Sequence, residues 1–92
     1  MQVQLKSMGD LRDYFGREPV DIKLPEQATI QDLLLAIHQR WGRSLPAYLW
    51  DGQEKQFRGP VVLIIDDELI LDKSTPLRDG MLIYLMKALA GG

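Results

Sequence analysis

The chain has 92 residues, 46% of them hydrophobic and 26% charged; that suits one small core and is too ordinary a mixture for a disordered segment. It has no cysteine, and its net charge of −2 is spread along the whole length, which excludes a disulfide framework, a thiolate metal site and a basic footprint for nucleic acid. No segment approaches the about 18 apolar residues of a membrane span, and the N-terminal "MQVQLKSMG" alternates where a secretory leader would need a basic stretch and an apolar run, so a cytoplasmic protein with no membrane partner is expected.

Val3 and Leu5 alternate with Gln2, Gln4 and Lys6, the period of two of a strand with one buried face. "DLRDYFG", residues 10–16, carries Leu11, Tyr14 and Phe15 at helical spacing and predicts a short helical turn closed by Gly16. "PVDIKLP" alternates again through Val20, Ile22 and Leu24 and stops at Pro25, a second strand hairpinned to the first. "TIQDLLLAIHQRWG" then sets Ile30, Leu33, Leu34, Ile37 and Trp41 along one helical stripe. Thr29 and Asp32 form a capping-box-like start, Arg40 suits the negative end of the dipole, and Gly42 stands where a left-handed C-cap belongs.

Residues 43–60 are less regular: "SLPAYLW" reads as a helical turn and "DGQEKQFRGP" as a polar loop. "VVLII" predicts a strand buried on both faces, followed by an acidic turn "DDE" and a partner strand around "LIL". After "STPLRDG" the final strand is "MLIYLM". Two hairpins flanking one helix predict an α+β fold, a β-grasp with a mixed sheet of four to five strands packed on one main helix. The final strand would lie beside the first in mid-sheet, so residues 1–87 form the domain and residues 88–92 a flexible tail.

Most other constellations point to structure. His38 is the single histidine and sits on the flank of the helical stripe, a boundary position, and no nucleophile-elbow motif surrounds Ser7, Ser44 or Ser74. Asp66, Asp67 and Glu68 are adjacent in a tight turn and lack the spaced oxygen ligands of a calcium loop, so a solvated hairpin tip is expected and no metal site. The glycines make no phosphate-binding loop. Any ATP would bind elsewhere, so no bound cofactor is expected.

"LRDYFG" after the first strand, "LPEQATIQDLLLAI" into the helix, "TPLRDG" before the last strand and the closing Gly91-Gly92, in this order, resemble the MoaD/ThiS sulfur carriers. These are small ubiquitin-like proteins of molybdopterin and thiamine biosynthesis, and the resemblance covers nearly the whole chain. It implies that the chain is a carrier or small synthase subunit and not an enzyme. An ATP-dependent activating enzyme would adenylate the Gly92 carboxylate and convert it to a thiocarboxylate, and the sulfur would pass to a large synthase subunit or other acceptor.

The ending suits that chemistry. A carboxylate is a poor electrophile, and AMP provides the leaving group that sulfur can displace. Gly91 and Gly92 have no Cβ and can thread a narrow channel, while Leu89, Ala88 and Ala90 offer an extended backbone and one apolar anchor. In the last strand, Ile83 and Leu85 toward the helix leave Tyr84 and Met86 outward, with Met8 near them by the same parity. Two readings stand for these three residues: a protein-docking patch, or packing beneath the 43–60 segment.

Many members of the family carry proline just before the tail, where this chain has Lys87 and Ala88. The insert between helix and third main strand favours a molybdopterin synthase small-subunit type over a thiamine carrier. Two other functions remain open: a ubiquitin-like modifier joined to lysines through Gly92, and a non-catalytic interaction module.

Overall fold

The computed structural model describes residues 1–88. β1 (Gln2–Ser7) buries Val3, Leu5 and Ser7 and turns Gln2 and Gln4 to solvent. A single 3₁₀ turn (Gly9–Leu11) leads into α1 (Arg12–Phe15), which Gly16 ends at φ 98°, a left-handed value that glycine adopts without strain. β2 (Val20–Lys23) returns antiparallel to β1 with Val3 opposite Ile22.

α2 (Ile30–Trp41) buries Ile30, Leu33, Leu34 and Ile37, as its stripe predicts. Each such side chain contributes about 1.5–3 kcal/mol over leaving it in water. Trp41 is half-buried and meets Phe15 edge-on at 4.9 Å. The Asp32 carboxylate reaches back to the Thr29 amide at 2.8 Å despite being one methylene shorter than Glu. The next two amides, of Ile30 and Gln31, donate to the Thr75 and Lys73 carbonyls. The segment from Lys73 to Thr75 thus completes the helix N-terminus.

Three local expectations are corrected. Gly42 is right-handed, at φ −52° and ψ −34°, so it is no left-handed cap. A Cβ there would lie 2.5 Å from the His38 carbonyl oxygen and 2.8 Å from its Nδ1, and this close approach is the reason for glycine. Residues 43–60 contain a small hairpin, β3 (Trp50–Asp51) with β4 (Gln56–Phe57), after one turn in which the Leu49 and Trp50 amides donate to Pro46 O. β5 (Val61–Ile65) is not buried on both faces: Val61, Leu63 and Ile65 are in the core and Val62 and Ile64 are half-buried.

β6 (Glu68–Ile70) pairs with β5 across a two-residue turn in which Asp66 and Asp67 have φ of 52° and 65°. The acidic residues are the hairpin tip. β7 (Leu82–Lys87) completes a five-stranded mixed sheet in the order β2-β1-β7-β5-β6, with β1 and β7 parallel and the other pairs antiparallel. The expected β-grasp is therefore the fold. One continuous core lies between the sheet and α2 and extends to Leu11, Phe15, Leu45, Leu49 and Trp50. Among the described residues no helix is long and apolar enough to cross a membrane.

Candidate functional site at the end of the central strand

β7 has a strand on each side. It runs parallel to β1 from Gln4 opposite Leu82 to Ser7 opposite Leu85, and antiparallel to β5 from Ile64 opposite Tyr84 to Val61 opposite Lys87. The ladder continues one residue further, where the Ala88 amide donates to Pro60 O at 2.6 Å. The backbone is thus hydrogen-bonded to the neighbouring strand and its lead-in up to Ala88, the residue before Leu89. Leu89, Ala90, Gly91 and Gly92, the threading segment and its reactive end in the sequence reading, lie outside the described residues.

At this exit the Lys87 side chain is occupied. Lys87 follows Ile83 and Leu85 on the helix-facing side of β7 by strand parity. Its ammonium donates to Asp10 Oδ2 at 2.8 Å and lies 5.5 Å from the centre of the Tyr48 ring. The hydrogen bond to Asp10 holds the Lys87 ammonium above its ordinary pKa against a smaller opposing effect of burial. The same bond holds the Asp10 carboxyl below its usual range. The neighbouring Tyr48 hydroxyl raises the Tyr14 phenol above its ordinary value. Asp10, Tyr14, Tyr48 and Lys87 therefore form one polar cluster at the root of the tail. Lys87 stood out in the sequence for replacing an expected proline, but nothing there joins it to residues 77 and 39 positions away.

The opposite face of the sheet carries the residues singled out for docking. Tyr84 and Met86 are half-buried on it, beside Val62 and Ile64, while Leu69 is 51% exposed on the neighbouring strand. Met8 is 38% exposed, and its amide donates to Leu85 O, one step beyond the Ser7–Leu85 pair. The aromatic residues of the 43–60 segment go elsewhere: Phe57 meets Phe15 at 6.1 Å, and Trp50 stacks on His38 at 6.0 Å.

His38 is a structural partner. Its Nδ1 accepts a hydrogen bond from Trp50 Nε1 at 3.1 Å. The serines have other surroundings: Ser44 Oγ donates to Trp41 O, Ser74 Oγ to Asp72 Oδ1, and Ser7 Oγ is buried without a hydrogen-bond partner. Among the described residues no group of three or more His, Cys, Asp or Glu side chains is placed to hold a metal ion.

No protein-family model matches the sequence, and no curated protein matches it. Solved structures do match the fold over almost its full length. SAMP1 from Haloferax volcanii superposes with a TM-score of 0.76 at 17% identity, covering 100% of both chains. Molybdopterin converting factor subunit 1 from Pyrococcus furiosus gives 0.71 at 20% identity, over 96% of this chain and 98% of that one. A chain from the complex of subunits 1 and 2 of the molybdopterin-converting factor of Helicobacter pylori gives 0.60 at 26% identity over 100% of both. The MoaD-type resemblance seen in the sequence is thus a resemblance of fold as well, shared with these modifier and molybdopterin-converting-factor structures.

Proposed function

We propose that this protein is a sulfur carrier. In this reading an ATP-dependent activating enzyme joins the Gly92 carboxylate to AMP, sulfur displaces AMP to leave a thiocarboxylate, and the sulfur passes to an acceptor in cofactor biosynthesis. The observation that carries the reading is the exit of the chain: a central strand bonded on both sides ends at Lys87, with Ala88 still tied to Pro60, immediately before Leu-Ala-Gly-Gly. A rigid body then presents a slim terminus to a partner's active site, and the partners supply the catalytic groups and the ATP site.

Met8, Tyr84 and Met86, with Val62 and Ile64, are the docking face in this proposal. Half-exposed apolar and sulfur-containing side chains on a flat sheet gain most from being covered by a complementary protein surface. Molybdopterin synthesis is favoured over thiamine synthesis by the folded insert of residues 43–60. The likeness to a chain from a two-subunit molybdopterin-converting factor supports the same choice.

Deleting Gly92 is expected to abolish ATP–pyrophosphate exchange with the activating enzyme while leaving the fold intact; normal exchange by the truncated chain would overturn the proposal. Intact-mass measurement of protein from its native host should find one oxygen replaced by sulfur at Gly92. The likeness to SAMP1 favours a second reading, a modifier whose activated carboxyl is attacked by a lysine amine. Higher-mass conjugates dependent on Gly92, with no thiocarboxylate, would decide for it.

A further inference from the structure

The two edges of the sheet are finished differently. β2 is bracketed by Pro19 and Pro25, presents Asp21 and Lys23 to solvent, and has the Arg40 guanidinium 3.5 Å from the Asp21 carbonyl oxygen. Prolines, charges and cover of this kind keep an edge from pairing with another chain. β6 instead carries Leu69, 51% exposed, and is followed by Leu71 at 84%. Asp66 and Asp67, both at positive φ, make a two-residue turn whose closing pair, Ile65 and Glu68, exchanges both ladder bonds. The next pair, Ile64 and Leu69, is then the unbonded one, so the Leu69 N–H and C=O point off the edge of the sheet.

Beside this edge, on the helix side, opens a cleft of about 290 Å³. Its apolar walls are Ile30 and Leu34 of α2, Phe57 of β4, Val61 and Leu63 of β5, and Ile70 of β6. That is small for a whole ligand molecule and ample for one aliphatic side chain. The charged residues lining it are Arg58, Lys73 and Asp72, two cations to one acid, and Ile30 begins α2, whose N-terminal end is the positive one. The Asp72 carboxylate is taken by the Ser74 amide and hydroxyl at 2.8 and 2.7 Å, and Arg58 faces Asp51 at 3.8 Å. Among the described residues Lys73 Nζ has no hydrogen bond or ion pair.

We propose that the β6 edge and this cleft form a docking groove for an extended acidic and aliphatic segment of a partner protein, added as a strand antiparallel to β6. Main-chain bonds to Leu69 hold such a strand, and alternate side chains give it specificity. The residue opposite Ile70 shares the face of Ile70 and drops into the cleft, while its two neighbours cover Leu69 and Leu71. Toward Lys73 the added strand reaches a cation that a carboxylate can pair. In the antiparallel direction the partner's sequence therefore reads acid first, then aliphatic residues. The groove adjoins the outer-face patch at Val62, but its ligand chemistry does not depend on the sulfur-carrier reading.

The test titrates the isotope-labelled full chain with a capped peptide, Glu-Glu-Val-Ile-Val-Thr, and follows backbone amides by NMR. Saturable shifts are expected at Leu69, Leu71, Lys73 and the cleft walls. A peptide with Lys-Lys in place of Glu-Glu should bind about fivefold more weakly or worse, and Lys73→Glu should weaken the acidic peptide by about fivefold, the scale of one partly exposed ion pair. Leu69→Pro removes a donor that β5 does not use, so it should abolish binding with the fold kept; Lys73→Glu decides the matter if that variant does not fold. No saturable shift at millimolar peptide, shifts centred on Tyr84 and Met86, equal binding of the two peptides, or an undiminished Lys73→Glu variant would each overturn the groove. Concentration-dependent shifts of the free protein at the same residues would overturn it too, by making a second copy of the chain the occupant.

Discussion

Gly42 does its work by having no side chain. A Cβ would come within 2.5 Å of the His38 carbonyl oxygen and 2.8 Å of its Nδ1, the nitrogen that accepts the Trp50 indole hydrogen bond. Gly42→Ala must push the ring or the helix end aside. We expect a loss of about 1–3 kcal/mol, read as a lower urea midpoint with an unchanged m-value, and loss of the Trp50 Nε1 hydrogen bond by NMR. An unchanged midpoint would refute the account. The glycine was visible in the sequence, but its role was misread: local capping rules favour a left-handed residue, whereas glycine is demanded by the close His38 carbonyl and ring one turn earlier, a ring that the Trp50 indole hydrogen-bonds.

At the scale of elements, α2 was the most legible because its signals are local. Four stripe residues and the Thr29–Asp32 pair all lie within one turn or two of their partners. Asp32→Ala should leave the Thr29 amide without its carboxylate acceptor and cost about 1 kcal/mol, measured by thermal or urea unfolding; no loss would show that the tertiary bonds to Thr75 and Lys73 suffice. Those bonds, and the β3–β4 hairpin, were not legible. Two-residue strands have no periodicity to read, and this pair persists because Trp50 and Phe57 pack with each other at 4.9 Å and with His38 and Phe15. β5 was misassigned for a related reason. A run of β-branched residues reports strand propensity, but Val62 and Ile64 alternate with the core residues and are only half-buried.

For the whole molecule, the sheet separates two tasks. Its inner face with α2 makes the core, and its outer face offers Met8, Tyr84 and Met86 beside Val62 and Ile64. On the proposed sulfur-carrier reading, Met86→Asp should weaken binding of an activating enzyme by about tenfold or more while sparing the fold, since the side chain is only half-buried. Isothermal titration with the partner checks this, and unchanged affinity would move the docking face elsewhere.

The sequence by itself determined the α+β class, the β-grasp order of elements, the main helix and the alternation that puts Ile83 and Leu85 inward and Tyr84 and Met86 outward. These follow from periodicity and short-range capping, which are properties of neighbours along the chain. Only the tertiary structure decided the register of β7 against β1 and β5, that Trp50 bonds the His38 ring beside Gly42, and that Lys87 meets Asp10 and Tyr48 at the root of the tail. Each of those depends on side chains brought together from distant positions by burial of a common core, and sequence spacing carries no record of such meetings.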